Sequence, residues 1–320
     1  MKIKRIIIFT ICIGIILLVY ILINIITYMQ YEKSALINVN SQLFANNDVL
    51  VEITPTKQVY EHNFQGDPIK IEDNSEIIFI NGMLQINQDG SIYLNKDNTY
   101  SDEKIAKIDG AISGSLSKTH IAVITKNGEL YISSMNEPYD ENYLKGYLPT
   151  DLTLINDIPK VKEVICCEQF TFILTTDGEV YGEGQMSQEK VDYFKKYPTE
   201  NEIIDINGIY KTIIALDNEG NLYAMGDKNF NYSWGGSNIN FEKIDVYKNI
   251  KNISCATNHG IALNKKGQIY YWGNHCVGKA AGELYNGKVK GISNADSIYS
   301  SGFSLYIIKN DTAIKIMLDN

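Results

Sequence analysis

Lys266-Gly267-Gln268-Ile269-Tyr270 is the last of five copies of one phrase: Gly, any residue, an aliphatic residue, Tyr. The earlier copies are Asp89-Gly90-Ser91-Ile92-Tyr93, Asn127-Gly128-Glu129-Leu130-Tyr131, Asp177-Gly178-Glu179-Val180-Tyr181 and Glu219-Gly220-Asn221-Leu222-Tyr223. Successive glycines lie 38, 50, 42 and 47 residues apart. A unit of this length marks a solenoid, a propeller or an array. Alternating apolar residues precede the turns, as with Phe172 and Leu174, Ile214 and Leu216, or Ile261 and Leu263. Alternation interrupted by Asp-Gly or Asn-Gly reads as a β-hairpin, and its turn selects Gly because it requires positive φ. Further short β-prone runs at 162–165, 203–206 and 252–254 stand ahead of the hairpins. Four strands in a unit of about 44 residues is the size of a propeller blade.

The pattern continues in worn form at both ends. Residues 304–314 keep the strands without the Gly and Tyr, and residues 43–50 stand one period before Gly90. Counting both gives seven units; leaving out the first gives six. Asn258-His259-Gly260-Ile261-Ala262-Leu263, followed by Lys266-Gly267-Gln268-Ile269-Tyr270-Tyr271-Trp272-Gly273, resembles the repeat of the regulator of chromosome condensation family. That repeat has a His-x-x-Ala-Leu strand, a turn Gly, an aliphatic-aromatic pair and Trp-Gly. Residues 176–184 and 218–226 match it in part, with Gly184 and Gly226 in the place of Gly273. The resemblance covers residues 40–318 in organisation. It implies an all-β propeller, seven-bladed with six as the alternative. The family's Asn-x-x-Gly-Gln-Leu-Gly segment is missing, so the nucleotide-exchange role of the nuclear members is not carried over.

Ahead of the repeats, residues 6–26 form an uncharged apolar run preceded by Lys2, Lys4 and Arg5. Twenty-one residues at 1.5 Å rise cross a hydrocarbon core of about 30 Å. A cleavable signal would be shorter and would end in a small-x-small site, which Thr27-Tyr28-Met29-Gln30-Tyr31 does not offer. The expectation is an uncleaved transmembrane helix acting as signal anchor. With only Lys33 close behind it, the positive-inside bias puts the N-terminus in the cytoplasm and residues 31–320 outside. Two parts follow: residues 1–30, the cytoplasmic tip and anchor, and residues 31–320, the propeller.

The net charge of −9 and the lack of a Lys/Arg cluster speak against nucleic acid. Cys166, Cys167, Cys255 and Cys276 show no zinc spacing; a bridge to Cys255 stays open beside the reading as small buried strand residues. His120 and His259 each stand eight residues before a turn Gly, which marks a structural ring. His62 and His275 are isolated. No catalytic constellation, phosphate loop or metal-ligand series stands out, so no enzyme, cofactor or metal is expected.

What the repeat leaves over is aromatic. Residues 135–150 carry Tyr139, Tyr143 and Tyr147; residues 185–198 carry Tyr193, Phe194 and Tyr197, with 187–197 reading as a short helix. Residues 227–241 carry Phe230, Tyr232, Trp234 and Phe241. Rings spared from a core anchor interfaces. The expected function is therefore a membrane-anchored, extracellular protein-interaction module. Its candidate partner-binding residues are Tyr139, Tyr143, Tyr147, Tyr193, Tyr197, Tyr232, Trp234 and Phe241. The alternative is an envelope glycan binder, less readily a wall-polymer hydrolase using Asp140, Glu141 or Asp151.

Overall fold

The computed structural model describes residues 32–317, apart from 39, 47–48, 65–66, 72–75, 96–99, 101–102, 137–147, 187–188, 210–211, 227–237, 246, 257–258, 274–284, 290–291 and 303. The apolar run 6–26 lies outside the described residues. Within them the chain forms twenty-eight strands in seven antiparallel four-stranded sheets.

Blade 1 holds β2 (Gln42–Asn46), β3 (Val49–Ile53), β4 (Val59–His62) and β5 (Ile69–Ile71). Blade 2 holds β6 (Ile77–Asn81), β7 (Leu84–Asn87), β8 (Ser91–Leu94) and β9 (Glu103–Lys107). Blade 3 holds β10 (Ala111–Leu116), β11 (Ile121–Thr125), β12 (Leu130–Ile132) and β13 (Thr153–Leu154). Blade 4 holds β14 (Val161–Cys166), β15 (Phe170–Thr175), β16 (Val180–Met186) and β17 (Glu189–Tyr197). Blade 5 holds β18 (Ile203–Ile209), β19 (Thr212–Asp217), β20 (Leu222–Gly226) and β21 (Asn238–Ile244). Blade 6 holds β22 (Ile250–Ala256), β23 (His259–Asn264), β24 (Ile269–Gly273) and β25 (Tyr285–Lys288). Blade 7 joins the two ends of the chain: β26 (Ser297–Ser301), β27 (Ser304–Lys309) and β28 (Thr312–Met317), with β1 (Glu32–Leu36) outermost.

The first strand of each blade lines the axis, touching its neighbours in the order β2, β6, β10, β14, β18, β22, β26 and back to β2. The second strand is the most apolar, and β11, β15, β19 and β23 are buried at every residue. Core clusters bridge successive blades rather than filling one: Leu216 and Leu222 of blade 5 pack with Ile250 and Ala262 of blade 6.

The repeat phrase is the turn between second and third strands. Its five glycines have φ between 71° and 90°. They also touch the next blade: the carbonyl of Gly128 accepts the N–H of Val161, Gly178 that of Ile203 and Gly220 that of Ile250, at 2.9–3.0 Å. A Cβ on Gly220 would stand 2.7 Å from the Ile250 carbonyl oxygen. Gly is thus required twice, by the turn and by the joint.

Closure depends on Glu52, on β3. Its carboxylate accepts the Asn38 N–H (2.7 Å), the Asn38 side-chain amide (2.9 Å) and the Ser41 hydroxyl (2.7 Å), all from the link between β1 and β2. His62 Nε2 completes the set at 2.7 Å, both side chains being about 1 % exposed. Burial by itself would raise the Glu52 carboxyl; the bonds from His62, Ser41 and Asn38 overcome it and hold it at about 2.

Two sequence expectations are corrected. The stretch 187–197 is not a helix: 189–197 is β17, paired with β16 through Tyr181↔Lys196 and Gln185↔Lys190. An open sheet edge and burial of Val191 and Tyr197 outweigh the intrinsic preference of the segment. Residues 43–50 are not a worn copy of the repeat turn but the hairpin of β2 with β3. The repeat turn of blade 1 follows at Thr54-Pro55-Thr56-Lys57-Gln58, with Lys57 at φ 62° in the place of Gly.

Gly220→Ala should cost at least about 2 kcal/mol more in urea unfolding than Gly110→Ala. Both have positive φ, but at Gly110 the new methyl meets only the flexible Lys126 side chain, at 3.3 Å. Equal losses would refute the joint. A carboxyl lowered in the folded state stabilises above its ordinary value of 4.5, and the gain is lost as pH falls towards 2. Glu52→Gln should therefore lower stability at pH 7 by about 3 kcal/mol and flatten the loss between pH 4.5 and 2; thermal melts across that range check it.

Candidate functional site

Strand direction gives the disc two unlike faces. One carries the repeat turns and the connections between blades; we term it the hairpin face. The opposite, loop face carries the turns from first to second strands and from third to fourth. The longest interruptions of the repeat in the sequence fall between strands whose described ends lie there: 137–147 between β12 and β13, 227–237 between β20 and β21, and 274–284 between β24 and β25.

A cavity of about 760 Å³ opens on the axis at the loop face. All seven innermost strands reach it, each by its C-terminal end. Small residues, Ser115, Asn207, Gly208, Cys255, Ala256 and Ser300, form much of its wall, beside the larger apolar Met83, Leu116, Leu148 and Ile165. Among the described lining residues the charged ones are Lys118 and Glu168, of opposite sign. The smallness has a packing cause: a Cβ on Gly208 would stand 2.5 Å from Ile165 Cγ2 and 3.3 Å from Cys167 Sγ.

Below the cavity, side chains of one innermost strand bond the backbone of the next. Glu163 accepts the Ile206 N–H at 3.1 Å, and Asn252 Oδ1 accepts that of Ile298 at 3.0 Å. Asp205 sits between them in the series and accepts the Ile253 N–H. Burial and the neighbouring Glu163 carboxylate push Asp205 up to about 7.

His120 works at the wall of the cavity rather than in it. Its Nε2 meets Thr171 Oγ1 of blade 4 at 2.8 Å, and its Nδ1 meets Thr119 Oγ1 at 2.8 Å. Thr119 gives its proton to the Glu168 carbonyl, so Nδ1–H is the donor and Nε2 accepts from Thr171. Burial lowers His120 to about 4, which makes it a neutral clamp between blades at physiological pH. The bond runs between two blades. His259 is buried at the matching place on β23.

Cys166, Cys167 and Cys255 are free thiols, two buried and one half-buried. Burial pushes Cys167 up to about 12 and raises Cys166 and Cys255 as well, so none is a thiolate nucleophile. Among the described residues no cluster of three His, Cys, Asp or Glu fits a metal ion.

The aromatic residues singled out in the sequence separate. Tyr139, Tyr143, Tyr147, Tyr232 and Trp234 lie outside the described residues, as do His275 and Cys276. Tyr193 projects from β17 and is 67 % exposed. Tyr197, four residues on, is buried against Phe170 and Phe172, with ring centroids 6.3 and 6.0 Å away. Phe241 lies half-buried against the core that blades 4 and 5 share. Sequence reasoning missed the axial cavity, because its lining comes from the ends of seven strands distant in sequence. It also missed the Glu52–His62 pair, whose two members stand ten residues apart on adjacent strands.

No family model matches the chain, and neither does any curated protein. Solved structures do. Prp20p of Saccharomyces cerevisiae, described with its binding to Gsp1p and histones, is 13 % identical with TM-score 0.61, over 87 % of this chain and 83 % of that one. YCF48 bound to D1 peptide is 11 % identical with TM-score 0.55, over 90 % and 96 %. YCF48 from Cyanidioschyzon merolae is 14 % identical with TM-score 0.54, over 90 % and 98 %. Identity this low establishes the fold, a seven-bladed propeller of the kind found in the regulator of chromosome condensation, and nothing further.

A carboxyl raised in the folded state favours folding while protonated. That gain is complete below its ordinary value of 3.8 and is lost as pH climbs through about 7. Asp205→Asn keeps an oxygen for Ile253 and removes the charge. Its stability advantage over the parent should grow between pH 4 and 7, then level off at roughly 2 kcal/mol, discounted because the side chain keeps part of its contact with solvent. A pH-independent difference in urea unfolding would refute the assignment.

Proposed function

We propose that this chain is a membrane-anchored interaction module, held by residues 6–26, that captures a partner protein outside the cell on the loop face of its propeller. One observation carries the reading. The hairpin face is occupied by bonds from the repeat turns to the connections beside them, whereas the axial cavity and the described ends that flank the long interruptions lie at the opposite face. Scaffold and variable surface are thereby separated, as in other folds that bind through loops. YCF48 with a D1 peptide and Prp20p with Gsp1p and histones supply examples of protein binding on this architecture. Binding, rather than catalysis, also suits thiols kept protonated by burial and a buried, neutral His120. Tyr193, Tyr232 and Trp234 are the rings assigned to the contact; Tyr197 and Phe241 act on it only through packing.

The test is retention of envelope proteins by residues 31–320, with intact and protease-stripped envelope. The parent should retain one protein, and stripping should abolish the signal. Tyr232→Ala with Trp234→Ala should weaken retention by about 2 kcal/mol, roughly thirtyfold, without moving the unfolding midpoint. Retention unchanged in that variant would overturn the loop contact. Retention surviving the protease would replace the protein with a glycan.

A further inference from the structure

The place where the chain enters the ring has a consequence for the partner. β1 runs antiparallel to β28, with Leu36 opposite Thr312 and Glu32 opposite Ile316. Thr312 directly follows the Asn310-Asp311 turn, so Leu36 is at the hairpin face and Glu32 at the loop face. The chain preceding Glu32 therefore arrives at the loop face, on the outer rim of blade 7. Only residues 27–31 separate Glu32 from the apolar run. Fully extended, that span reaches about 20 Å. The hairpin face lies farther off by the length of a six-residue strand such as β14, about 20 Å.

A gap of about 20 Å at the tethered rim is too narrow for a globular domain. A hundred residues have a radius of gyration near 13 Å and so stand more than about 26 Å across. An extended segment passes. The cavity selects further, because the Ser301 hydroxyl and the Asn207 amide on its wall can pair a peptide backbone, while Ser115 and Ser300 are engaged with Cys166 N and Ser254. Its two charges are of opposite sign, and among the described lining residues Lys118 alone is a cation that could meet a lipid phosphate. We propose that the loop face is turned toward the membrane and that the axial cavity receives a short, extended, uncharged peptide segment of a protein anchored in that same membrane. This rests on the anchor and the loop-face contact proposed above, and adds orientation, site and occupant class to them.

Both parts are tested with the full chain in vesicles, with Cys12→Ser and Cys276→Ser removing the thiols outside the described residues. Blade 3 offers an exposed position on each face: Lys118 at the loop face and Lys126 at the hairpin face. A donor dye on Lys118→Cys or on Lys126→Cys is read against acceptor-labelled lipid in the outer leaflet. Transfer at least twofold greater from position 118 is expected; equal or reversed transfer overturns the orientation. For the occupant, the undyed chain is photolabelled with a pool of hexapeptides built from Gly, Ser, Asn, Ala and Val. Matched pools carrying Asp or Lys, and a photoreactive phosphatidylcholine, are run alongside. The neutral pool should mark the 297–309 segment at least tenfold above the charged pools, and Ser301→Trp, which sets a large ring in the cavity wall, should abolish the mark. Equal labelling by all pools, labelling by the lipid instead, or labelling indifferent to Ser301→Trp overturns the occupant. If envelope capture depends on Trp234 while these outcomes fail, the interaction module stands and this proposal falls. If carbonate washing strips the chain from the vesicles, the anchor itself falls.

Discussion

One contact recurs around the ring and organises it: the carbonyl of the turn Gly accepts the first N–H of the next blade. It joins Gly128 to Val161, Gly178 to Ile203 and Gly220 to Ile250, and at Gly90 it reaches Ile108 in the connection leading to β10. The neighbouring turn residue donates in the other direction, as Thr176 does to Lys160 O and Asn218 to Glu202 O. Each repeat turn is therefore stitched to the connections on both sides. A blade alone would expose one face of each sheet, and two-sheet contact is what buries the second strands. The joint fixes that contact at a set distance, which is why its central residue has no side chain.

Because the joints consume one face, the other is released from them. Length changes between third and fourth strands leave the stitching untouched, and glycine spacings from 38 to 50 residues fit in one ring. The same separation explains the axial cavity. Joints hold the N-terminal ends of the innermost strands together, while the C-terminal ends depend on small residues and side-chain bridges such as Ser115 Oγ to Cys166 N at 2.9 Å. Small residues leave room, and the room is the cavity.

The blade architecture was legible because turn chemistry is local. At Gly90, Asp89 takes the Ser91 N–H at 2.9 Å. In the other four of the five Gly turns the residue three before Gly is the cap: Thr125 and Thr175 accept the N–H four residues on at 3.2 and 3.1 Å, and Asp217 and Asn264 do so at 2.7 and 2.9 Å. Thr54 does the same for Gln58 at 3.0 Å. A search for Thr, Asn or Asp at that position, rather than for Gly, would have found blade 1, where Lys57 adopts the positive φ instead. The β17 strand was not legible, since pairing with the preceding β16 and the burial of Val191 and Tyr197 decide its conformation, and neither shows in the segment's own composition. Nor was the closing bond: Asn38, Ser41, Glu52 and His62 are ordinary residues singly, and only the ring brings them to one carboxylate.

Glu52 also shows how closure differs from the other joints. Blades 1 and 7 meet through the apolar group of Leu50, Phe64, Tyr306, Ile308 and Ala313, and the β1 residues are added from outside. A ring sealed by a peripheral strand has its weakest seam where that strand begins, since five backbone pairings with β28 hold it. If force reaches the fold through the segment before Glu32, it reaches this seam first. A carboxylate bound by three donors from the link and one histidine is therefore placed beside that seam. The buried charge is tolerable because all of its partners are supplied, and removing one of them would leave it costly.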